Sequence, residues 1–501
     1  MIRTSVEPFR KYCSPETFEK IRPFDSVGAM WAYCSSEYAQ LPAISLASAS
    51  YTYAELESHM AHMRYLLKEA GIGKGDRVAL LAPSGYQLVV GCLAAITSGI
   101  CVAILPHHLD ERAVFGLSMK FGLKGIVFDK ALEEKTALLG NLKKIDIRIE
   151  DGEKEPIVLA EPQDECVILM TGGTTGRSKG ALLSHANIMQ DTINGCYGYP
   201  NVFNQKYLLG LPLFHVFGFV RNLMTSLYTG SEMYICENMT GLFRDAMAFQ
   251  PTIVVMVPAL AEMALRLCRQ MKCDMLGSAL KCIICGAAVV PPYLVKAYAD
   301  RGVTLCPGYG LTESANLVSG NPEALSKPSS VGIPYPNQEL RIENGELWLR
   351  GSNVMLGYVN EEEENAAAFV DGWFRTGDLV QMDEDGYLYI TGRIKEIIVL
   401  PTGENISPAE LETMFNELDV IQDSQVFEDC DENGNRFLAL EVVPRASEIP
   451  EGMDAGSYIM DKLRQVNDSL PAHMRISRME IRSSDFERTA SMKIVRYKKC
   501  N

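Results

Sequence analysis

The sequence has no excess of positive charge, no apolar leader and no cysteine framework, and each absence excludes a class of protein. Lys and Arg number 47 against 63 Asp and Glu, for a formal net charge of −16, whereas nucleic-acid binding needs a basic face. Residues 1–7 lack the apolar core of a signal peptide, and the 14 cysteines are scattered. We therefore expect no nucleic-acid partner, reduced thiols and a cytoplasmic location.

Two local features could suggest a metal site or a membrane span, and both have a simpler interpretation. Cys282 and Cys285 form a Cys-x-x-Cys pair inside an apolar run without other ligands nearby, which favours a buried strand. The segment 78–109 has no charged residue, but Pro and Gly divide it into a strand, a helix and a second strand. We expect a buried βαβ unit there and no transmembrane segment.

Hydrophobic periodicity predicts an α/β protein of more than one domain. The chain has 501 residues, 47% of them hydrophobic, which is enough for a large core. Over its first three-quarters, short apolar runs alternate with amphipathic helical segments such as 258–272 and 291–301, the pattern of layered α/β sheets. From about Gly345, short alternating strands and tight turns indicate a small β-rich subdomain.

Residues 170–185, MTGGTTGRSKGALLSH, are the most informative stretch of the chain. A polyphosphate can be bound closely by backbone that carries no Cβ, by hydroxyl donors and by a cation. The residues concerned are Thr171, Gly172, Gly173, Thr174, Thr175, Gly176 and Lys179. A Walker loop would end in Gly-Lys-Ser/Thr, which this loop does not. The pattern predicts a nucleotide phosphate loop of another kind; taken alone, it could also be a plain turn between a strand and a helix.

Further motifs follow in a fixed order along the chain. They are PLFH at 212–215, GYGLTE at 308–313, the segment 345–358, RTGD at 375–378, GRIKE at 392–396, GENISP at 403–408, and Lys493. Together with the phosphate loop, they resemble the signatures of the adenylate-forming superfamily. That superfamily contains acyl- and aryl-CoA ligases, the adenylation domains of peptide synthetases, and luciferases. The resemblance covers nearly the whole chain.

The resemblance implies a two-domain architecture and a set of substrates. We expect a large N-terminal domain at residues 1–392 and a small mobile α+β C-terminal domain at 393–501, with the hinge near Lys395. The substrates implied are ATP with Mg²⁺, a carboxylic acid and the thiol of coenzyme A. The alternative acceptor is the phosphopantetheine arm of an acyl carrier protein, because that arm and coenzyme A end in the same thiol.

The superfamily also implies roles for single residues. The threonines and lysine of the phosphate loop would hold the β- and γ-phosphates, and Thr174 would also contact the metal. Thr312 would donate to the α-phosphate, and Glu313 would help bind magnesium; a Thr-Glu pair after Gly-Leu could also be a helix N-cap. Asp378 would accept from the ribose hydroxyls, and Arg393 would assist at the ribose or phosphate.

The C-terminal lysine departs from the family pattern in one respect. Lys493 is expected to bridge the carboxylate and the α-phosphate during adenylation. Met492 stands where relatives commonly have glycine, and a positive φ there would cost methionine about 1 kcal/mol. If Lys493 were misplaced, a non-catalytic protein that binds acyl-nucleotides would be the alternative function.

The sequence favours an acid without an α-ammonium group. His215 stands where amino-acid-activating members carry an aspartate for the substrate ammonium. The surroundings are apolar or small and suit a fatty or aryl tail: Val216, Phe217, Phe219, Val220, Gly286, Ala287, Ala288, Gly308 and Gly310. Tyr309 completes the expected binding set, and Gly403 would leave room for a pantetheine arm. His215 itself could be a packed histidine or a gate on the route of the thiol.

Overall fold

The computed structural model describes residues 1–171, 179–399, 405–432, 435–445, 448–450, 452–488 and 494–496. Within these residues, three large sheets flanked by helices build the N-terminal part of the chain, and two small sheets belong to the C-terminal part. The predicted α/β architecture, with a large N-terminal domain, a β-rich subdomain and a smaller α+β C-terminal domain, is confirmed.

The first large sheet, sheet A, carries the phosphate loop. Its seven strands, in spatial order, are Gly357–Tyr358, Lys179–Ser184, Glu165–Thr171, Cys101–Ile104, Arg77–Leu81, Gly125–Phe128 and Lys143–Asp146. Arg77–Leu81 and Cys101–Ile104 are parallel and joined by the helix Tyr86–Ile96, so the segment 78–109 is the expected buried βαβ unit. The described residues contain no helix long and apolar enough to cross a membrane.

The second large sheet, sheet B, is mostly parallel. Its nine strands, in spatial order, are Ile333–Pro334, Ser319–Gly320, Thr304–Tyr309, Cys282–Cys285, Ile253–Met256, Lys206–Leu209, Glu232–Ile235, Pro42–Ser45 and Ser50–Thr52. Cys282 and Cys285 are fully buried in their strand, as expected. Among the described residues, twelve cysteines are free thiols, whereas Cys430 is disulfide-bonded, so the expectation of reduced thiols fails at that residue.

The β-rich subdomain is sheet C, which is antiparallel. Its strands are Ile2–Arg3, Gln338–Glu343, Glu346–Gly351, Trp373–Met382, Phe369–Val370 and Leu388–Arg393. The C-terminal part has a two-stranded sheet of Ile398–Val399 and Asn405–Ile406, and a three-stranded sheet of Ile421–Cys430, Arg436–Pro444 and Arg478–Ile481. This part encloses its own apolar core, which includes Leu411, Phe415 and Leu463.

Helices cover the faces of sheets A and B and one face of the C-terminal sheet. The α-helices are Pro15–Lys20, Val27–Glu37, Tyr53–Glu69, Tyr86–Ile96, Glu111–Lys120, His185–Asn194, Thr225–Tyr228, Leu242–Phe249, Pro258–Met271, Pro292–Ala299, Glu362–Ala368, Pro408–Asn416 and Ala455–Ser469. Short 3₁₀ segments are Glu7–Phe9, Lys130–Leu139, Met239–Gly241, Thr312–Ser314, Ile394–Glu396 and Ala472–Met474, and a π-helix spans Phe217–Met224.

Candidate active site

The phosphate-loop motif connects two antiparallel strands of sheet A, with Thr171 opposite Lys179. The strand-to-helix turn considered from sequence is therefore wrong, because a second strand precedes the helix that starts at His185. The Lys179 ammonium pairs with the Glu364 carboxylate and lies 4.8 Å from the centroid of the Tyr358 ring. Because Lys179 bonds to it, the pKa of Glu364 is lowered.

Thr312 and Glu313 lie in a 3₁₀ turn packed against both strands that flank the phosphate loop. Tyr358 donates a hydrogen bond of 2.8 Å to Oε1 of Glu313. Among the described residues, Oε2 of Glu313 and the hydroxyl of Thr312 have no hydrogen-bond partner in the protein. The helix-cap alternative for Thr312 is thus wrong, and both groups are available to a ligand.

Only glycine fits at position 310, just before this turn. A Cβ on Gly310 would lie 1.3 Å from the backbone oxygen of Asn316. Asn316 itself has a φ of 111°, a conformation that costs free energy and is often found at functional sites. This close contact between Gly310 and the backbone of Asn316 fixes the direction in which the chain runs from sheet B to Thr312 and Glu313.

Asp378, Arg393 and Tyr309 form a buried polar cluster. Asp378 and Arg393 face each other on paired strands of sheet C, and Nε of Arg393 donates to Oδ1 of Asp378. Tyr309, at the end of a sheet B strand, donates a 2.5 Å hydrogen bond to Oδ2. Burial and the neighbouring Asp378 raise the pKa of Tyr309, so its hydroxyl stays protonated and donates. The cluster joins the two sheets and presents a fixed carboxylate, the group that suits a ribose diol.

Arg393 links this cluster to the groups around the phosphate loop. Burial and the Glu313 carboxylate raise the pKa of Tyr358, and the positive charge of Arg393 lowers it in part. Arg393 therefore lies near both Asp378 and Tyr358. Four motifs that are distant in sequence thus converge on one site.

Gly286 and Gly308, two residues predicted for the acid pocket, lie at the ends of adjacent strands of sheet B, next to Tyr309. The ring of Phe217 covers Gly286, where a Cβ would lie 3.4 Å from Cζ of Phe217 and 3.2 Å from the carbonyl oxygen of Gly308. Ala287 has a φ of 68°, an unfavourable conformation for a residue with a side chain. The His215 ring lies 4.6 Å from that of Phe214, at the start of the segment that leads to Phe217.

The 3₁₀ turn Ile394–Glu396 leads from sheet C into the C-terminal part. Lys395 is exposed, and its charge acts with that of Lys179 to lower the pKa of Glu364, which places it near the phosphate-loop lysine. Arg496 contacts Glu396 at 3.1 Å and Glu412 at 2.6 Å, so the end of the chain is tied to this turn.

Several predicted residues lie outside the described part of the chain. They are Gly172, Gly173, Thr174, Thr175, Gly176, Gly403 and Lys493. The sequence analysis gave no role to Tyr358 or Glu364. Tyr358 is nevertheless the last residue of the motif 345–358, where its phenol follows Gly357. Glu364 is the last of four consecutive glutamates, 361–364, and nothing in the sequence distinguishes it from the other three.

The residues present fit a magnesium nucleotide. Glu313 offers an oxygen to a hard cation, Lys179 offers a positive charge where phosphates would lie, and Asp378 offers acceptors to a diol. Magnesium, when bound, would neutralise charge on the leaving pyrophosphate. The arrangement suits transfer at the α-phosphate of ATP, since cations and donors surround the position where negative charge would develop.

Comparison with known proteins agrees with this site. The family model of the AMP-binding enzymes matches residues 32–359, and that of the AMP-binding enzyme C-terminal domain matches residues 395–500. A feruloyl-CoA synthase of Amycolatopsis sp is 31% identical over 386 residues, covering 73% of this chain and 77% of its own. A long-chain-fatty-acid–CoA ligase of Yersinia pestis is 26% identical, covering 92% and 95%.

Solved structures show the same fold. The o-succinylbenzoate CoA synthetase of Bacillus subtilis superimposes with a TM-score of 0.78 at 22% identity, covering 93% of this chain and 96% of its own. The anthranilate CoA ligase AuaEII gives a TM-score of 0.82 at 19% identity, covering 95% and 97%. The chain therefore belongs to the family of AMP-binding enzymes, within the adenylate-forming superfamily that its motifs resemble.

Proposed function

We propose that the protein is an AMP-forming acid–thiol ligase that joins a fatty or aryl carboxylic acid to coenzyme A. The observation that carries the proposal is the convergence of Lys179, Glu313, Asp378 and Arg393, from four separate motifs, on one site. The CoA-ligase relatives support the thiol acceptor.

In the first step, the carboxylate of the acid attacks the α-phosphate of ATP, and pyrophosphate leaves. Asp378 would hold the ribose, Lys179 would exchange Glu364 for the phosphates, and Thr312 would donate to the α-phosphate. Thr171, with the loop residues after it, would complete the phosphate contacts, and Lys493 would bridge the two reacting anions. Each group lowers the repulsion between carboxylate and phosphate.

In the second step, the thiol attacks the acyl carbonyl and AMP leaves. We propose that residues 393–501 form a domain that turns about Lys395 between the two steps, as the superfamily implies. The turn Ile394–Glu396 suits this role because it is short and joins the two parts of the chain. Gly403 would then line the pantetheine passage.

The acid that fits this site has an apolar body and no α-ammonium group. Phe217 and Gly286 contact each other next to Gly308, and neither carries a negative charge that could pair with an ammonium. An ammonium left unpaired in a buried pocket costs several kcal/mol, roughly. Free amino acids are therefore expected to be poor substrates.

The test is thioester formation from ATP, magnesium and a panel of fatty, aryl and amino acids, with CoA and with a phosphopantetheine carrier protein offered separately. We expect acid-dependent AMP release and an acyl-CoA product. A product on the carrier protein alone would establish the alternative acceptor. Binding of ATP by folded protein without product from any acid would favour the non-catalytic alternative.

A further inference from the structure

One arginine in the interior has no ion-pair partner. Arg221 retains 2% of its surface, and its Nε and Nη1 atoms have no hydrogen-bond partner. Within the described part of the chain, no carboxylate lies within ion-pair distance of it. A buried charge without a partner is costly, and proteins retain one mainly where it serves a ligand or a function.

Arg221 lies on the helix that carries Phe217, one of the residues predicted for the acid pocket. It belongs to the π-helix Phe217–Met224, one turn after Phe217, whose ring covers Gly286. π-helical turns are frequent at functional sites. The helix face that covers the pocket at Phe217 therefore continues inward to Arg221.

The residues around Arg221 lie on the face of sheet B that also carries the two glycines predicted for the pocket. Its charge acts on the thiols of Cys282 and Cys306, which lie on adjacent strands of sheet B. Side chains alternate along a strand, so Cys282 shares a face with Gly286, and Cys306 shares a face with Gly308. Arg221 thus faces the strand surface that leads away from the two pocket glycines.

Tyr207 provides a second unpaired polar group at the same place. Burial raises the pKa of Tyr207, and the adjacent Arg221 charge lowers it in part. Its buried hydroxyl makes no hydrogen bond of good geometry among the described residues, and the Arg221 side chain is the polar group that lies against it. A guanidinium and a phenol hydroxyl together form a donor set that suits a carboxylate.

The strand face between the glycines and Arg221 is only partly covered by packing. Ile284 remains partly exposed although Ile283 and Cys285, on either side of it, are fully buried. Ile284 shares the face of Cys282 and Gly286. From the spacing of strand residues, Arg221 lies about 7–13 Å beyond the glycines. That distance matches the length of a short apolar chain or a ring.

We propose that Arg221 and Tyr207 bind a second carboxylate at the far end of the acid, so that the preferred substrate is a dicarboxylic acid with an apolar body. This inference rests on the proposed function and specifies its substrate class. The first carboxylate would meet ATP beside Thr312, and the hydrocarbon between the two would lie along Ile284 and Phe217. The second carboxylate would neutralise Arg221.

The test compares α,ω-dicarboxylic acids with monocarboxylic acids of matched length in ATP–pyrophosphate exchange. We expect the protein to prefer at least one diacid by tenfold or more, and Arg221→Met to reduce kcat/KM for that diacid by roughly a hundredfold. The monoacids should lose little. Tyr207→Phe should show a smaller loss of the same kind, and Arg301→Met, at a surface ion pair, should behave as wild type.

Thermal unfolding without substrate separates a binding role from a structural one. If Arg221 serves a ligand, Arg221→Met should keep or raise the melting temperature, because it removes an unpaired buried charge. A large fall in melting temperature with equal losses for all acids would overturn the inference. So would a wild-type preference for monoacids that Arg221→Met leaves unchanged.

A separate measurement distinguishes failure of this inference from failure of the proposed ligase function. If no acid supported exchange in folded, ATP-binding protein, the melting temperature would still be measured with each diacid alone. A diacid-dependent rise in the wild type that Arg221→Met abolishes would support the carboxylate site without the ligase activity. Absence of any such rise would contradict both.

Discussion

At the scale of single residues, the cluster around Asp378 makes the most specific claim about the nucleotide. Its carboxylate is held from one side by Arg393 and from the other by Tyr309. Both partners come from separate sheets, so the carboxylate is fixed before any ligand arrives. Preorganised acceptors of this kind bind without the cost of ordering a side chain.

Asp378→Asn should therefore weaken ATP binding by tenfold or more, because the amide offers one acceptor where the carboxylate offers two. Tyr309→Phe should weaken it less, since both carboxylate oxygens stay in place and only one of the bonds that hold them is lost. Isothermal titration calorimetry with ATP measures both. Equal affinity of wild type and Asp378→Asn would show that the ribose lies elsewhere.

The residues that sequence reasoning missed are those whose roles arise only from folding. Asp378 and Glu313 could be predicted because each lies in a motif of ordered residue types. Glu364 could not, because it enters the site only when the helix Glu362–Ala368 packs beside the strand of Lys179. Arg221 was equally hidden, since a single arginine in an apolar segment reveals neither burial nor lack of a partner.

At the scale of elements, the turn after Tyr309 depends on one glycine. Gly310→Ala should destabilise the protein by about 3 kcal/mol or more, because the added Cβ collides with backbone rather than with a movable side chain. Gly308→Ala is the matched control, since a Cβ there meets its nearest atom at 3.4 Å, an ordinary contact. Urea denaturation compares the two, and equal stability would contradict the geometry.

The first turn of the helix His185–Asn194 contains a pH-sensitive group. His185 is fully buried and accepts a hydrogen bond from the backbone of Val27, and burial lowers its pKa to about 4. The unfolded chain would take up the proton near pH 6.5, so stability is lost as pH falls from there to about 4. The loss amounts to about 3 kcal/mol.

His185→Gln should reduce this loss, because glutamine can accept the same hydrogen bond without titrating. The measurement is the free energy of unfolding of both proteins at pH 7 and near pH 4.5. An identical pH dependence would mean that other groups account for the loss.

The secondary structure was largely predictable because its pattern is local. The strand at Glu232–Ile235 and the helix at Pro258–Met271 follow directly from apolar runs and from proline at a helix start. The second strand of the phosphate-loop hairpin, Lys179–Ser184, was missed because its first residues were assigned to the loop. Pairing with a distant strand, Gly357–Tyr358, stabilises it and leaves no local signal.

At the scale of the whole molecule, ion pairs join helices of the N-terminal part to residues 445–448 of the C-terminal part. Arg445 lies 3.0 Å from Glu262 and 4.4 Å from the centroid of the Tyr293 ring, both on helices of the N-terminal part. The pair Arg269–Glu448 is longer, at 3.4 Å, and more exposed. The first contact is thus the stronger bond between the two parts in this arrangement.

Arg445→Met should change the ratio of adenylation rate to thiol-transfer rate by threefold or more, because it weakens one of the domain arrangements that the two steps require. Arg269→Met should change that ratio less, since exposed pairs contribute little. Rapid-quench measurement of each step separately provides the comparison. Unchanged rates for Arg445→Met in both steps would show that this contact does not control the domain arrangement.

The proposed chemistry requires the protein to form an acyl-adenylate reversibly. The most direct measurement is the exchange of labelled pyrophosphate into ATP without any thiol, across fatty, aryl and dicarboxylic acids. We expect exchange that requires both magnesium and an apolar-bodied acid, and that falls by roughly two to four orders of magnitude in Lys493→Ala. Exchange with free alanine but with none of the apolar acids, or no exchange by folded protein that binds ATP, would contradict it.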